Sequence, residues 1–150
     1  MPTKHWFHPL FIVGLSVLGS GCGGPPPLYP TAGTVTLKGV PVAGANVTFL
    51  PQEADGEAAV AVTDAAGRFE MTTGIRGSGA RQGKYIVLIA KLDLPTLKPG
   101  EEANQSLGMA LKPRDLLPPR YTDPKETPFK DVDVPPGGKT DFVFALQGVR

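Results

Sequence analysis

Cys22 is the only cysteine among 150 residues, so no partner within the chain can take it into a disulfide, and its thiol is left free for alkylation or acylation. It follows Gly19, Ser20 and Gly21, which themselves follow an apolar segment from Leu10 to Leu18 and a charged start at Lys4 with His5 and His8. A charged start, an apolar segment and a small-residue cleavage zone are the three parts of an export signal. The apolar run is about half of the roughly 20 residues that a membrane-spanning helix needs. An ordinary secretory signal would leave a free thiol at the start of an exported chain, where oxidation is easy. The remaining chemical candidates have blander readings. Asp131 and Asp133 lie two apart, so a strand would point both carboxylates to one face, yet calcium wants six to eight oxygens and a solvated strand face is the preferred reading. Arg76 and Arg81 sit among Gly74, Gly77, Gly79 and Gly83 in a loop that an anion could enter, although no helix follows to supply a phosphate cradle. Asp55 and Glu57 flank Gly56 in a turn, and Ser78 and Ser106 would each need a base to act as nucleophiles.

The segment ending at Cys22 resembles a bacterial lipobox, with Gly19 standing where that motif usually has leucine and Leu18 one place further back. The resemblance implies cleavage before Cys22 and lipidation of its sulfur, and two or three acyl chains would anchor durably where one holds only marginally. Of the 150 residues, removal of 1–21 leaves 129, with 14 basic residues against 14 acidic ones and without His5, His8, Trp6 or Lys4. The mature chain then has no histidine to shuttle protons and no basic field to attract nucleic acid. It suits one domain plus a tether. The tether is 22–30, where Gly23 and Gly24 bend freely and Pro25, Pro26, Pro27 and Pro30 favour an extended spacer.

From 31 to 150 the apolar residues alternate with polar ones at period two, and the interruptions carry Gly, Asp and Pro. Val35 and Leu37 share one strand face; Lys38 and Gly39 mark a turn; Ala45, Val47 and Phe49 point inward from a second strand that Pro51 stops. Val60 and Val62 carry a third strand. The run Thr63, Asp64, Ala65, Ala66, Gly67 then signals a hairpin, with Asp64 bonding the backbone ahead and Gly67 taking a positive φ. The returning strand, 68–72, turns Phe69 and Met71 inward. The stretch 85–90 is apolar on both faces and reads as a central strand. Val132 and Val134, then Phe142, Phe144 and Leu146, fill two last strands on either side of a Pro135, Pro136, Gly137, Gly138 turn. Seven short strands without a long helix describe an all-β, Ig-like β-sandwich.

Gly33 to Pro51, with Thr63 to Phe69 and Gly83 to Tyr85, resembles the carboxypeptidase regulatory-like domain, a transthyretin-like sandwich of seven strands. The resemblance covers about Thr31 to Leu146, including Leu117-Pro-Pro-Arg-Tyr-Thr-Asp123, a segment seen in small bacterial envelope lipoproteins of this type. Its motifs are turns and core positions, so Asp64 and Gly67 shape a turn and are not an active site. Members are mostly non-catalytic modules that assist folding, contact partners or bind carbohydrate. A transthyretin-like relative hydrolyses hydroxyisourate with histidines, an arginine and a Tyr-Arg-Gly-Ser ending; this chain ends Leu146, Gln147, Gly148, Val149, Arg150 and has no mature histidine.

Between 92 and 128 seven prolines interrupt a mixed polar stretch, which leaves no strand or long helix and only a short helical possibility at 101–111. A long excursion of this kind is the place to look for partner contact, with Tyr121 packed at its end, and Tyr121, Asp131 and Asp133 are the candidate contact residues. The sequence therefore predicts a lipid-anchored, non-enzymatic envelope protein that acts as a structural or interaction module, with no cofactor and no metal. A carbohydrate- or peptide-binding accessory module of an envelope enzyme is the alternative, and a hydrolase built on a carboxylate pair is a third. Gly23 replaces the aspartate that retains some lipoproteins at the inner membrane, which favours the outer membrane, facing the periplasm or the exterior.

Overall fold

The computed structural model describes residues 24–93 and 114–148. The signal segment, Cys22, the 101–111 stretch and Ser106 lie outside the described residues. In chain order the strands are β1 (Thr31–Leu37), β2 (Val40–Pro41), β3 (Asn46–Pro51), β4 (Ala59–Val62), β5 (Arg68–Glu70) and β6 (Thr72–Thr73). They continue with β7 (Gly77–Ser78), β8 (Gly83–Ala90), β9 (Leu92–Asp93), β10 (Arg114–Asp115), β11 (Val132–Val134) and β12 (Lys139–Leu146). Two single-turn 3-10 segments, Gly74–Arg76 and Pro119–Tyr121, are the only helical elements among the described residues. None of the helices among these residues is long and apolar enough to cross a membrane.

Two sheets carry the chain. In the first, β1 lies between β12, which it pairs in parallel, and antiparallel β2 and β5. In the second, the order β11-β8-β3-β4-β6-β7 is antiparallel throughout. Alternation along each strand sends one residue in two into a shared core: Val35 from β1, Val47 and Phe49 from β3, Tyr85, Val87 and Ile89 from β8, and Phe142, Phe144 and Leu146 from β12. Phe49 stands at its centre, with ring centroids 5.6 Å from Tyr85, 5.8 Å from Phe142 and 6.1 Å from Phe144. These are edge-to-face or tilted contacts, the arrangement that aromatic quadrupoles favour.

The expected strands at 33–37, 45–50, 85–90, 130–134 and 140–146 have counterparts in β1, β3, β8, β11 and β12, while the hairpin at 63–67 and the Pro-rich excursion need correction. The third strand, expected at Val60 and Val62, is β4, in which both valines face outward while Ala59 and Ala61 are buried. The register explains it, because Ala59 lies opposite Phe49 and Ala61 opposite Val47, so the bulk of β3 already fills the space beneath them. The Asp64–Gly67 turn closes, with the Gly67 N–H donating to the Asp64 carbonyl at 2.9 Å, but it does not join two strands of one sheet. β4 belongs to the second sheet, while β5 pairs β1 in the first. Met71 is the crossover: its N–H donates to Thr31 in the first sheet at 2.8 Å, and its carbonyl accepts from Gly79 beside β7 at 2.6 Å. The Pro-rich excursion also holds more structure than expected. β9 and β10 pair antiparallel where the chain leaves and returns, and the stretch after β10 drops Leu117, Tyr121 and Thr127 into the core. Pro118 and Pro119 suit this path, since a proline at the first position of a helical turn loses no hydrogen bond.

Candidate functional site

At the end of the sheets where β1 finishes, the chain turns through Lys38 and Gly39, with φ of 51° and 81°. Positive φ at both central residues is the type I′ turn that matches the twist of a two-residue hairpin, and it sets Leu37 opposite Val40. Beyond β2, the buried Thr63 hydroxyl donates to the Val42 carbonyl at 2.6 Å and accepts from the Ala45 N–H at 2.8 Å, fixing this corner to β4. Across from it, the Asp115 carboxylate accepts the N–H of Lys91 at 3.1 Å and of Leu117 at 2.9 Å, while the Leu116 N–H donates to the Lys91 carbonyl at 2.8 Å. One carboxylate thus stitches the returning chain to the end of β8.

Tyr121 closes the third side. Its hydroxyl accepts from the Gln147 N–H at 2.6 Å just beyond β12, and its ring stacks on Phe129 at 5.9 Å. The Arg120 guanidinium lies 4.8 Å over the same ring and donates to the Tyr121 hydroxyl at 2.9 Å and to the Gln147 carbonyl at 3.1 Å. Between these walls runs an open groove. Its apolar half, about 700 Å³, is lined by Leu37, Val40, Pro41, Leu116 and Pro118 with Lys91 and Asp115 at the edge. Its other half, about 970 Å³, lies among Arg120, Glu126 and Gln147, and both halves share Lys38, Pro118, Pro119 and Gly148. Val40 and Leu116 are more than half exposed. Aliphatic walls with charges of both signs at the rim offer burial for apolar side chains and partners for a polar backbone. Among the described residues the lining includes no aromatic ring on which a sugar could stack.

The opposite end holds the other charged cluster. Arg76 pairs with Glu57 and also donates to the Pro26 carbonyl of the tether; Arg81 donates to the Asp55 carbonyl at 2.6 Å. Both guanidiniums are therefore engaged, and the anion-receiving loop reads as a structural corner. Tyr85 donates to the Arg81 carbonyl at 2.9 Å, and burial pushes its hydroxyl pKa above the ordinary value against the pull of Arg81.

The sequence-derived contact residues separate. Tyr121 is 1% exposed, so its ring belongs to the core and presents no surface to a partner; its effect on the groove comes through Arg120 and Gln147. Asp131 precedes β11 at a φ of 58° and accepts from the Gln52 side chain at 3.2 Å, while Asp133 lies within the strand opposite Lys84. Both are exposed, and the strand geometry that was to align them begins only at Val132. Asp64 accepts the N–H groups of Ala66 at 2.8 Å and Arg68 at 2.9 Å, and Gly67 has a φ of 72°. Among the described residues no three His, Cys, Asp or Glu side chains gather closely enough to hold a metal ion. The groove itself was missed by sequence reasoning. Its one available signal was the four-residue spacing of Leu117 and Tyr121 inside a proline-rich run, which marks a stretch that returns to a core.

No protein-family model, no curated protein and no solved structure matches this chain.

Proposed function

We propose that this chain is a lipid-anchored protein of the bacterial cell envelope, tied to the outer membrane through Cys22, that acts without catalysis as a structural or protein-interaction module. Its folded part is read as a seven-stranded, transthyretin-like sandwich of the carboxypeptidase regulatory-like kind, with an extended segment of a partner protein as the occupant of the groove. The observation that carries this reading is the division of labour between the two ends. Tyr29 pairs with Ala80 and Lys139 donates to Pro30, so the tether enters where β1 and β12 begin, whereas the groove lies where both strands finish. A domain fixed at one end and concave at the other suits presentation of a binding surface.

A glycan-binding role would call for stacking aromatics, and none stands among the described residues of the groove walls, so the peptide form of the accessory-module reading is the second one kept. The test is a photo-crosslinking residue placed at Val40, at Leu116 and, as a control, at Val62 on the outer face of β4, in intact cells. The proposal expects one partner captured from positions 40 and 116 and absent at 62, and a mature amino-terminal peptide that begins at Cys22 and carries the mass of attached lipid. Equal capture at all three positions refutes the groove assignment; an amino-terminal peptide without lipid mass refutes the anchor.

A further inference from the structure

Ile75 is the most exposed large apolar residue among those described, at 105% of its reference area, and it sits at the tip of the 3-10 turn Gly74–Arg76. Nothing in the described fold packs over it. Its neighbour Arg76 grips the Pro26 carbonyl and the Glu57 carboxylate, so the turn and the tether are fastened side by side. Only three residues, Gly23, Gly24 and Pro25, lie between Cys22 and Pro26, and the four chain steps set an upper limit of about 14 Å between their Cα atoms. A bilayer carries polar interfacial layers some 5–8 Å deep on each side of its hydrocarbon core, so a leash of that length brings the Ile75 corner within reach of the layer that holds the lipidated residue.

We infer that Ile75 inserts into the interfacial layer of the phospholipid bilayer, so that the domain rests on the membrane by its tether end and holds the groove outward. The inference deepens the proposed function and rests on its anchor at Cys22. Charge attraction has little part in it, because Arg76 is paired with Glu57 and Arg81 lies 3.7 Å from the Asp55 carboxylate, leaving the corner near neutrality. The anchor does that work instead. A tethered group faces its target at an effective concentration in the millimolar range, enough for one isoleucine to dock where the free domain would drift away.

The chain has a single tryptophan, Trp6, so Ile75→Trp in a Trp6→Phe background gives one reporter, and the full exposure of position 75 leaves room for the indole. The full chain would be made in a lipoprotein-processing bacterium and reconstituted into phosphatidylcholine vesicles containing brominated lipids. Emission from the indole at position 75 is expected to shift to shorter wavelength and to be quenched most by lipids brominated near the headgroup. A reporter at Val40→Trp, in the groove, should show neither change. Quenching at position 75 no stronger than at position 40 overturns the inference. The anchor is read separately from the mass of the amino-terminal peptide. Where that mass carries no lipid, Cys22 is coupled to a maleimide lipid in the same vesicles and the quenching repeated, so that docking and lipidation stand or fall apart.

Discussion

Replacing Thr63 by valine keeps the side-chain volume and makes the site more apolar, yet it should destabilise the domain more than replacement by serine. The hydroxyl is buried, donates to Val42 at 2.6 Å and accepts from Ala45 at 2.8 Å. In the valine form the Ala45 N–H and the Val42 carbonyl both lose this partner, and each orphaned buried group costs about 1–3 kcal/mol, or about 2–6 kcal/mol together. Serine keeps both bonds and loses one methyl, worth about 0.8 kcal/mol in transfer with a small cavity term added. Against a total stability of order 5–15 kcal/mol, the first change approaches unfolding and the second does not. Urea titration followed by far-UV circular dichroism reads the difference as a lower midpoint at unchanged slope. The same corner forms one wall of the groove through Val42, so crosslinking from Val40 should weaken in the valine form even below its midpoint. A valine form as stable as the serine form would mean that solvent reaches these groups and that the corner is not held as described.

Tyr85 gives a pH signature. Burial raises its pKa in the fold above the ordinary value of 10.0, so the stability its proton carries is present below pH 10 and lost as pH climbs beyond it. Tyr85→Phe should cost about 1 kcal/mol at neutral pH, through the bond to Arg81, and flatten the alkaline fall in thermal midpoint; an unaltered fall assigns the effect elsewhere. Gly67→Ala combines a φ of 72° with a Cβ that would stand 2.5 Å from the Val35 carbonyl, and is expected to cost more than about 2 kcal/mol; a change under about 1 kcal/mol would show that the turn yields freely. Phe49→Ala empties the centre of the aromatic cluster at a cost of about 3–5 kcal/mol, measurable in the same urea titration, and a value near 1 kcal/mol would mean that the two sheets close over the gap.

The period-two pattern was enough to place the main strands and most of their inward residues, because alternation is a local property and each strand expresses it alone. Sheet membership is not local. Phe69 and Met71 both read as inward residues of one strand, and both are buried, yet the chain changes sheets at Met71. Nothing in their types signals this, since either sheet would bury them; the hydrogen bonds of Met71 to Thr31 and Gly79 decide it. Val60 and Val62 marked a strand without marking its inner face, because β-branched residues suit both faces, and only the opposed bulk of Phe49 and Val47 decides which is inner. The prolines of the excursion hid its order, because they remove donors without preventing Leu117, Tyr121 and Thr127 from being buried. Thr127 illustrates the compensation: its hydroxyl donates to the Val87 carbonyl at 2.9 Å, and the Phe129 carbonyl accepts the Val87 N–H at 2.9 Å.

The parallel pairing of β1 with β12 has a consequence for how the proposed module would work. Two parallel strands begin together and end together, so fastening the tether at Pro30, beside Lys139, commits Leu37 and Leu146 to the far side. The six steps of about 3.3 Å between the first and last of its seven residues separate the two ends of β1 by roughly 20 Å. Lengthening the spacer before Pro26 would therefore leave the same end of the domain facing outward, as long as Tyr29 stays paired with Ala80 and Pro26 with Arg76. Removing those fastenings would let the domain tumble about its leash. Partner capture at the groove should then tolerate added spacer residues before Pro26, and fall when Arg76→Ala and Glu57→Ala release the corner, although neither residue lines the groove. Capture that is indifferent to both changes would leave orientation with no part in the activity.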